Sequence, residues 1–349
     1  MRRPVQLGID SFVSTVTDPR TGRDVSPVER VRHLLEEVER ADQVGLDTYG
    51  IGEHHRAEYM DSAPAVLLAA AAARTERIRL NSAVAVLSAS DPVRLFQEYA
   101  TLDLVSRGRV DLVVGRGSFT ESFPLFGLDL ADYDSLFAEK LDLLLRLREQ
   151  PEVTWSGRHR PALHGQGVYP RPLQDPLPVW VGVGGTPASF VRAGTLGLPL
   201  MIAIIGGQPA RFRRLVELYR EAGLQAGHPP EQLKVGLHCF GFVGDTDRRA
   251  RDDFYPGRAQ MFTKIGRERG FGPPSRAQYD ATCEPDGAFL IGDPGTVAEK
   301  VLRIDADLGG VARLSLQMTN VRLAHDDLLH GIELLGTEVA PVVRAAVPA

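Results

Sequence analysis

A chain of 349 residues, 43% of them hydrophobic, is long enough to bury the core of one α/β barrel or of two smaller domains. With 40 basic residues against 45 acidic ones and no block of either sign, the net charge of −5 gives no electrostatic support for a nucleic-acid or membrane-surface partner. No apolar run is long enough to span a bilayer. Cys239 and Cys283 are too few for a disulfide framework and lack metal-type spacing, which fits a reducing, cytoplasmic setting. The opening MRRPVQLGID holds two arginines, but Asp10 interrupts its apolar stretch and no cleavage motif follows, so a secretory leader is not expected.

Strand-like and helical stretches alternate along the whole chain. VQLGI (5–9) reads as the first strand, and SPVERVRHLLEEVERADQVG from Ser26 as its helix. TYGIG (48–52) is followed by APAVLLAAAAARTE from Ala63, and IRLNSAVAVL (78–87) by DPVRLFQEYATLDLVSRG from Asp91. RVDLVVG (109–115) leads to DYDSLFAEKLDLLLRLREQ from Asp132. PVWVGVG (178–184), PLMIAII (199–205), KVGLHCFGFVG (234–244) and RLSLQM (313–318) supply four more strands, each with a helical pattern behind it, among them one near DTDRRARDDF. Several helices open on Ser, Asp or Thr beside Pro and close on Gly, the ordinary cap chemistry. Eight β-then-α units are the number that closes a (β/α)8 TIM barrel, whereas an open doubly wound sheet would have five to seven strands. The expectation is therefore an α/β fold in one domain, residues 1–349. Two Gly- and Pro-rich stretches break the rhythm, 155–176 after the fourth strand and 255–292 after the seventh, and read as insertions, the second expected to be mobile.

In a parallel barrel the active site lies at the C-terminal ends of the strands, so residues just beyond each strand outrank the rest. Glu53, His54 and His55 follow the second strand, and an imidazole oriented by a carboxylate can hold or move a proton near neutral pH. The alternative is a pair that caps the strand and bonds to backbone. Adjacent side chains diverge and no HExxH is present, so a metal is not expected. Gly115, Arg116 and Gly117 end the fourth strand, where glycines admit a ligand to the backbone and arginine can grip an oxyanion. A glycine-flanked turn with a solvated arginine is the plainer reading. Gly184, Gly185 and Thr186 feed a helix that carries Ser189 in its first turn, a layout that aims N–H groups and hydroxyls at one spot as a phosphate cradle does. A simple helix cap would look the same, and the motif is neither a Walker loop nor GxGxxG. Small residues at 82–85 leave room for a flat ligand, or merely fill a narrow core. Tyr59, Phe119, Phe123, Tyr169 and His238 are candidates to line an apolar pocket.

Taken together, EHH, SAVAVLSASDPVRLFQEYATLDLVSRGRVDLVVGRGSF, PVWVGVGGTPASFVRAGTLGLPLMI and IGDPGTVAEKV resemble the bacterial luciferase-like monooxygenases over nearly the whole chain. The resemblance implies a (β/α)8 barrel in which His54 lies near the reactive edge of a flavin, with Glu53 and His55 beside it. It implies a cis peptide at Ala83 and Val84 against the ring system, and Arg116, flanked by Gly115 and Gly117, on the flavin phosphate. Gly184, Gly185, Thr186 and Ser189 would form the phosphate turn, although luciferase is more acidic and serine-rich there. The 255–292 insertion would be a loop that covers the flavin. The implied activity is oxygenation of a small organic substrate by O2 and reduced FMN from a separate flavin reductase. A branch of the family uses the deazaflavin F420 for hydride transfer instead, and some members bind flavin without catalysis. Relatives often dimerise near the second and third strands, where the alanine-rich stretch 63–73 would suit a homodimer.

Overall fold

The computed structural model describes residues 5–346; the arginines of the opening segment lie outside the described residues. The strands are β1 (Gln6–Ser11), β2 (Thr48–Ile51), β3 (Arg79–Ser82), β4 (Ala85–Val86), β5 (Val110–Gly115), β6 (Glu152–Trp155), β7 (Leu163–Gly167), β8 (Val179–Val183), β9 (Leu200–Ile204), β10 (Val235–Val243), β11 (Leu290–Gly292) and β12 (Arg313–Gln317). Eight of them form a closed parallel ring in the order β1, β2, β3, β5, β8, β9, β10, β12 and back to β1. Short β4 extends the ring on β5 and β11 on β10. This is a (β/α)8 barrel. The helices are α1 (Pro27–Gln43), α2 (Pro64–Ala72), α3 (Pro92–Ser106), α4 (Ser122–Leu125), α5 (Tyr133–Glu149), α6 (Pro187–Thr195), α7 (Arg213–Gln225), α8 (Asp247–Arg269), α9 (Arg276–Cys283), α10 (Pro294–Asp307), α11 (His325–Leu334) and α12 (Ala340–Ala346).

Cap chemistry sets the helix boundaries. Ser26, Asp91 and Asp293 accept N–H bonds from the first turns of α1, α3 and α10, each with Pro next in the chain. Three elements differ from the sequence reading. The single strand expected at 78–87 is broken into β3 and β4, because the Ala83–Val84 peptide is cis and turns the chain between them. The 155–176 stretch holds most of a two-stranded antiparallel hairpin, β6 with β7. The helix expected near residue 247 runs on through Pro256 to Arg269, so the 255–292 insertion carries the rest of α8, then α9 and β11.

The N-terminal end of the barrel is shut by charge. Arg313, only 2% exposed, places Nη2 2.5 Å from Asp111 Oδ2, and Arg79 Nη2 lies 2.6 Å from the other carboxylate oxygen. The Arg313 guanidinium also lies over the Trp180 ring at 4.6 Å. Burial by itself would raise the Asp111 carboxyl, but the two guanidiniums hold it below the ordinary carboxylate range. Asp111→Asn would leave the Arg313 cation buried against a neutral amide. The expected cost is about 3–5 kcal/mol, read as a lower urea midpoint; a midpoint within error of wild type would remove this network from the account of stability.

Candidate active site

Residues at the opposite end of the strands meet around a single aromatic ring, Phe12, just beyond β1. His54 packs on it at 4.6 Å between ring centroids and His238 of β10 stacks on it at 5.6 Å, 14° from parallel. Each imidazole is held from behind by a buried carboxylate. His54 Nδ1 lies 2.8 Å from Asp61 Oδ2, while the His54 backbone N–H donates to Asp61 Oδ1 at 3.1 Å. His238 Nδ1 lies 2.7 Å from Asp10 Oδ2. A carboxylate accepts from Nδ1–H, so in both residues the network assigns the lone pair to Nε2. Asp61 is fully buried, and that burial raises its pKa in spite of the His54 bond.

Gly52 is what allows the first pair to form. A Cβ there would sit 2.7 Å from Phe12, 2.8 Å from Asp61 Oδ2 and 3.1 Å from His54. Tyr59 and Phe119 complete the wall around His54, with ring centroids at 4.5 and 5.3 Å. Burial pushes the Tyr59 phenol up to about 12, so it stays neutral.

The structure divides the Glu53, His54, His55 triplet. Glu53 Oε2 accepts the Val86 N–H at 2.8 Å and its Oε1 lies 3.1 Å from His55 Nε2. These two side chains therefore hold β4 in place after the cis Ala83–Val84 bond, and only His54 joins Phe12 and Asp61. Val84 fills the space left by two glycines: a Cβ at Gly115 or Gly182 would lie 2.5 or 2.7 Å from its methyl groups. Gly117 has φ +80°, the left-handed region that favours glycine.

Arg116 leaves β5 and reaches the first turn of α6. Its Nη1 lies 2.5 Å from Asp134 Oδ1, its Nη2 3.5 Å from Ser189 Oγ, and its guanidinium lies over Tyr133 at 5.1 Å. Gly184 and Gly185 are exposed, with nothing within 4 Å of where a Cβ would stand, and Thr186 precedes the helix without a side-chain cap bond. Arg116, Ser189 and the N-terminal turn of α6 thus form an accessible donor set of the kind that suits a phosphate, with Asp134 as the present partner of the guanidinium.

The end of α8 reaches the same rim. Arg56 bonds Glu58 at 3.3 Å, Glu268 at 2.6 Å and also Glu121, and Lys264 pairs with Glu58. Arg269 donates to the Ser118 carbonyl at 2.9 Å and covers Phe119. Burial opposes ionisation of Glu58, but hydrogen bonds from Lys264 and Arg56 outweigh it and take the carboxyl down to about 2.

Of the five pocket candidates, Tyr59, Phe119 and His238 are at this site. Phe123 is buried against Tyr133, and Tyr169 is 58% exposed with its carbonyl bonded by Gln97. Sequence reasoning missed Asp61, Phe12 and the pairing of Asp10 with His238. The available signal was a charged residue at an inward position of an apolar strand, at Asp10 and again at His238. Among the described residues, one cluster of metal-ligand residue types, His33, Glu36 and His325, lies between α1 and α11. Its two imidazoles stack flat, 3.8 Å apart and 4° from parallel, so their lone pairs do not converge on a shared point.

The chain is similar to 4-hydroxyprotoasukamycin monooxygenase of Streptomyces nodosus subsp. asukaensis, 30% identical with 88% of this chain and 85% of that protein covered. It superposes on the oxygenating constituent of 3,6-diketocamphane monooxygenase from Pseudomonas putida, a type II Baeyer-Villiger monooxygenase solved with FMN. The TM-score is 0.75, with 22% identity and 98% of each chain covered. An F420-dependent secondary alcohol dehydrogenase superposes with the same TM-score of 0.75, at 19% identity over 98% of this chain and 99% of that one. The pattern of the luciferase-like monooxygenases matches residues 9–310, and the chain belongs to that family.

Proposed function

We propose that this protein binds reduced FMN, supplied by a separate flavin reductase, and uses O2 to oxygenate a small organic substrate. The observation that carries this reading is the convergence on one rim of a phosphate-type cradle (Arg116, Ser189 and the Gly184–Gly185–Thr186 turn) with a carboxylate-held imidazole, His54. Reduced FMN would supply the electrons that activate oxygen. The chain's part is to hold the phosphate, orient the ring system and keep water out. Arg116 and Ser189 grip the anionic tail, and Glu53 with His55 fixes the β4 segment against which a flat ring would lie. His54, with Asp61 on Nδ1, offers Nε2 to hold or give up a proton at the reacting edge. The aromatic wall of Phe12, Tyr59 and Phe119, covered by the end of α8, is the dry boundary such chemistry needs. A separate reductase fits a relative that is itself named an oxygenating constituent. Both thiols are free and buried, consistent with a cytoplasmic protein, and the exposed Val66 on alanine-rich α2 marks the face we assign to a homodimer.

The F420-dependent neighbour favours one second reading, hydride transfer with a deazaflavin on the same cradle. Fluorescence titration of the cofactor-free protein separates the two; preferential binding of F420 over FMN would reverse the choice.

Arg116→Gln removes charge-assisted bonds to the phosphate, worth about 1.5–3 kcal/mol, and is expected to weaken FMN binding roughly ten- to a hundredfold. Unchanged affinity would move the cradle elsewhere. His54→Asn is expected to lower kcat by about 10²–10⁴ with FMN affinity preserved, and Asp61→Asn to fall between it and wild type. Full oxygenation by His54→Asn would sink the role given to that imidazole. Because Glu58 has a depressed pKa, its hold on α8 is complete above its ordinary value of 4.5 and fades as pH falls from there toward about 2. Amide exchange near Lys264 is therefore expected to quicken across that window in wild type, and to show no such pH step in Glu58→Gln.

A further inference from the structure

Five cationic side chains are buried among the described residues, and four of them have acceptors. Arg30 bonds Glu37 and Arg313 bonds Asp111, while Lys140 donates to the Ser88 carbonyl and Lys300 to those of Cys283 and Glu284. Arg258 is the exception. It is 8% exposed, its Nε and Nη1 are buried without a hydrogen-bond partner, and no carboxylate figures among the charges that act on it. What surrounds it is aromatic: the guanidinium lies 4.4 Å from the Phe240 ring centre, 5.1 Å from that of Phe289, and over Phe262 one helical turn further on. Burial lowers its pKa to about 9, which still leaves it charged at neutral pH.

Its place in the fold gives this cation a task. Phe240 stands two residues beyond His238 on β10, so strand alternation puts both side chains on the same face. Arg258 reaches that face from α8, the helix whose far end pairs with Glu58 and Arg56 at the rim. The phosphate cradle at the ends of β5 and β8 lies three and two strands away around the ring, so Arg258 is not part of it. Cation–π contacts recover only part of the cost of removing a guanidinium from water, and an unpaired buried cation is held at a penalty that a bound anion would relieve.

We propose that Arg258 is the specificity determinant for substrate, and that the substrate is an organic anion whose flat apolar body lies among Phe240, Phe262 and Phe289 with its carboxylate-type oxygens on the guanidinium. This rests on the oxygenase reading only for the word substrate; the anion site itself is testable on the cofactor-free chain.

The test is calorimetric titration of the cofactor-free protein with benzoate and with its neutral isostere benzamide. Wild type is expected to bind benzoate about tenfold tighter or more, since one charge-assisted pair in an apolar site is worth that much. Arg258→Met, which keeps the apolar stem, is expected to lose the preference, keep FMN affinity within about twofold, and unfold at an equal or higher urea concentration because the unpaired charge is gone. Arg116→Gln is expected to keep the preference. Equal binding of the two probes by wild type would overturn the proposal, as would an Arg258→Met protein that is less stable yet still prefers benzoate. A more than tenfold loss of FMN affinity in Arg258→Met would assign the cation to the cofactor and also overturn it. Failure of wild type to bind FMN would fall on the oxygenase reading and leave the benzoate comparison standing.

Discussion

Eight strands can share one hydrogen-bonded ring in parallel only if all of them point their C-terminal ends at the same rim. Every other feature here answers to that constraint. Segments as far apart in sequence as Asp10 and His238 are brought to 2.7 Å because β1 and β10 both flank β12 and run the same way. The two rims are then treated differently. At the N-terminal one, Arg313 and Arg79 share the single carboxylate of Asp111 and Trp180 lies against the Arg313 guanidinium, so a charged network closes the barrel. At the C-terminal one, the imidazoles have carboxylates on one ring nitrogen only.

Glycine does much of the placing at that rim. Gly52 gives up its side chain so that Phe12, His54 and Asp61 can meet, and Gly115 and Gly182 do the same for Val84. At Gly184 and Gly185 no neighbour is near, and the missing side chain leaves the α6 turn accessible instead. One residue type thus serves two ends: tight packing behind the histidine, and clearance at the start of α6.

Much of this was legible in the chain itself. Apolar alternation counted the eight strands, cap residues such as Ser26, Asp91 and Asp293 placed the helices, and the ends of β2, β5 and β8 named His54, Arg116 and the Gly184–Thr186 turn. The partners were not legible, for physical reasons. Asp61 stands seven residues past His54 with no periodic relation to it, and Asp10 and His238 are related only through ring closure. Pro256 beside Gly257 reads as a break because proline lacks an N–H, yet α8 continues through it. Tertiary packing holds the helix around the proline: Gly257 leaves room for Asn320, whose side-chain amide donates to the Phe254 carbonyl at 2.6 Å. Glu53 and His55 were grouped with His54 by adjacency, whereas adjacent side chains of an extended segment diverge: Glu53 turns to the Val86 N–H and His55 to Glu53.

The two histidine–carboxylate pairs share an Nδ1–carboxylate bond and differ in their surroundings. His54 is walled by the rings of Tyr59 and Phe119, and Arg269 at the end of α8 covers Phe119 in turn. His238 lies on β10 in register with Ser315 of β12, near buried oxygens with no protein donor: Asp10 Oδ1, Ser315 Oγ and Gln317 Oε1. Acceptors left in that state call for ordered water, since a buried polar group without a partner costs about 1–3 kcal/mol. Phe12, an apolar ring, is the surface the two imidazoles share, and it gives a proton no path from one to the other. The barrel therefore holds two separate histidine–carboxylate pairs at one mouth, one walled by aromatic rings and one beside an internal polar layer.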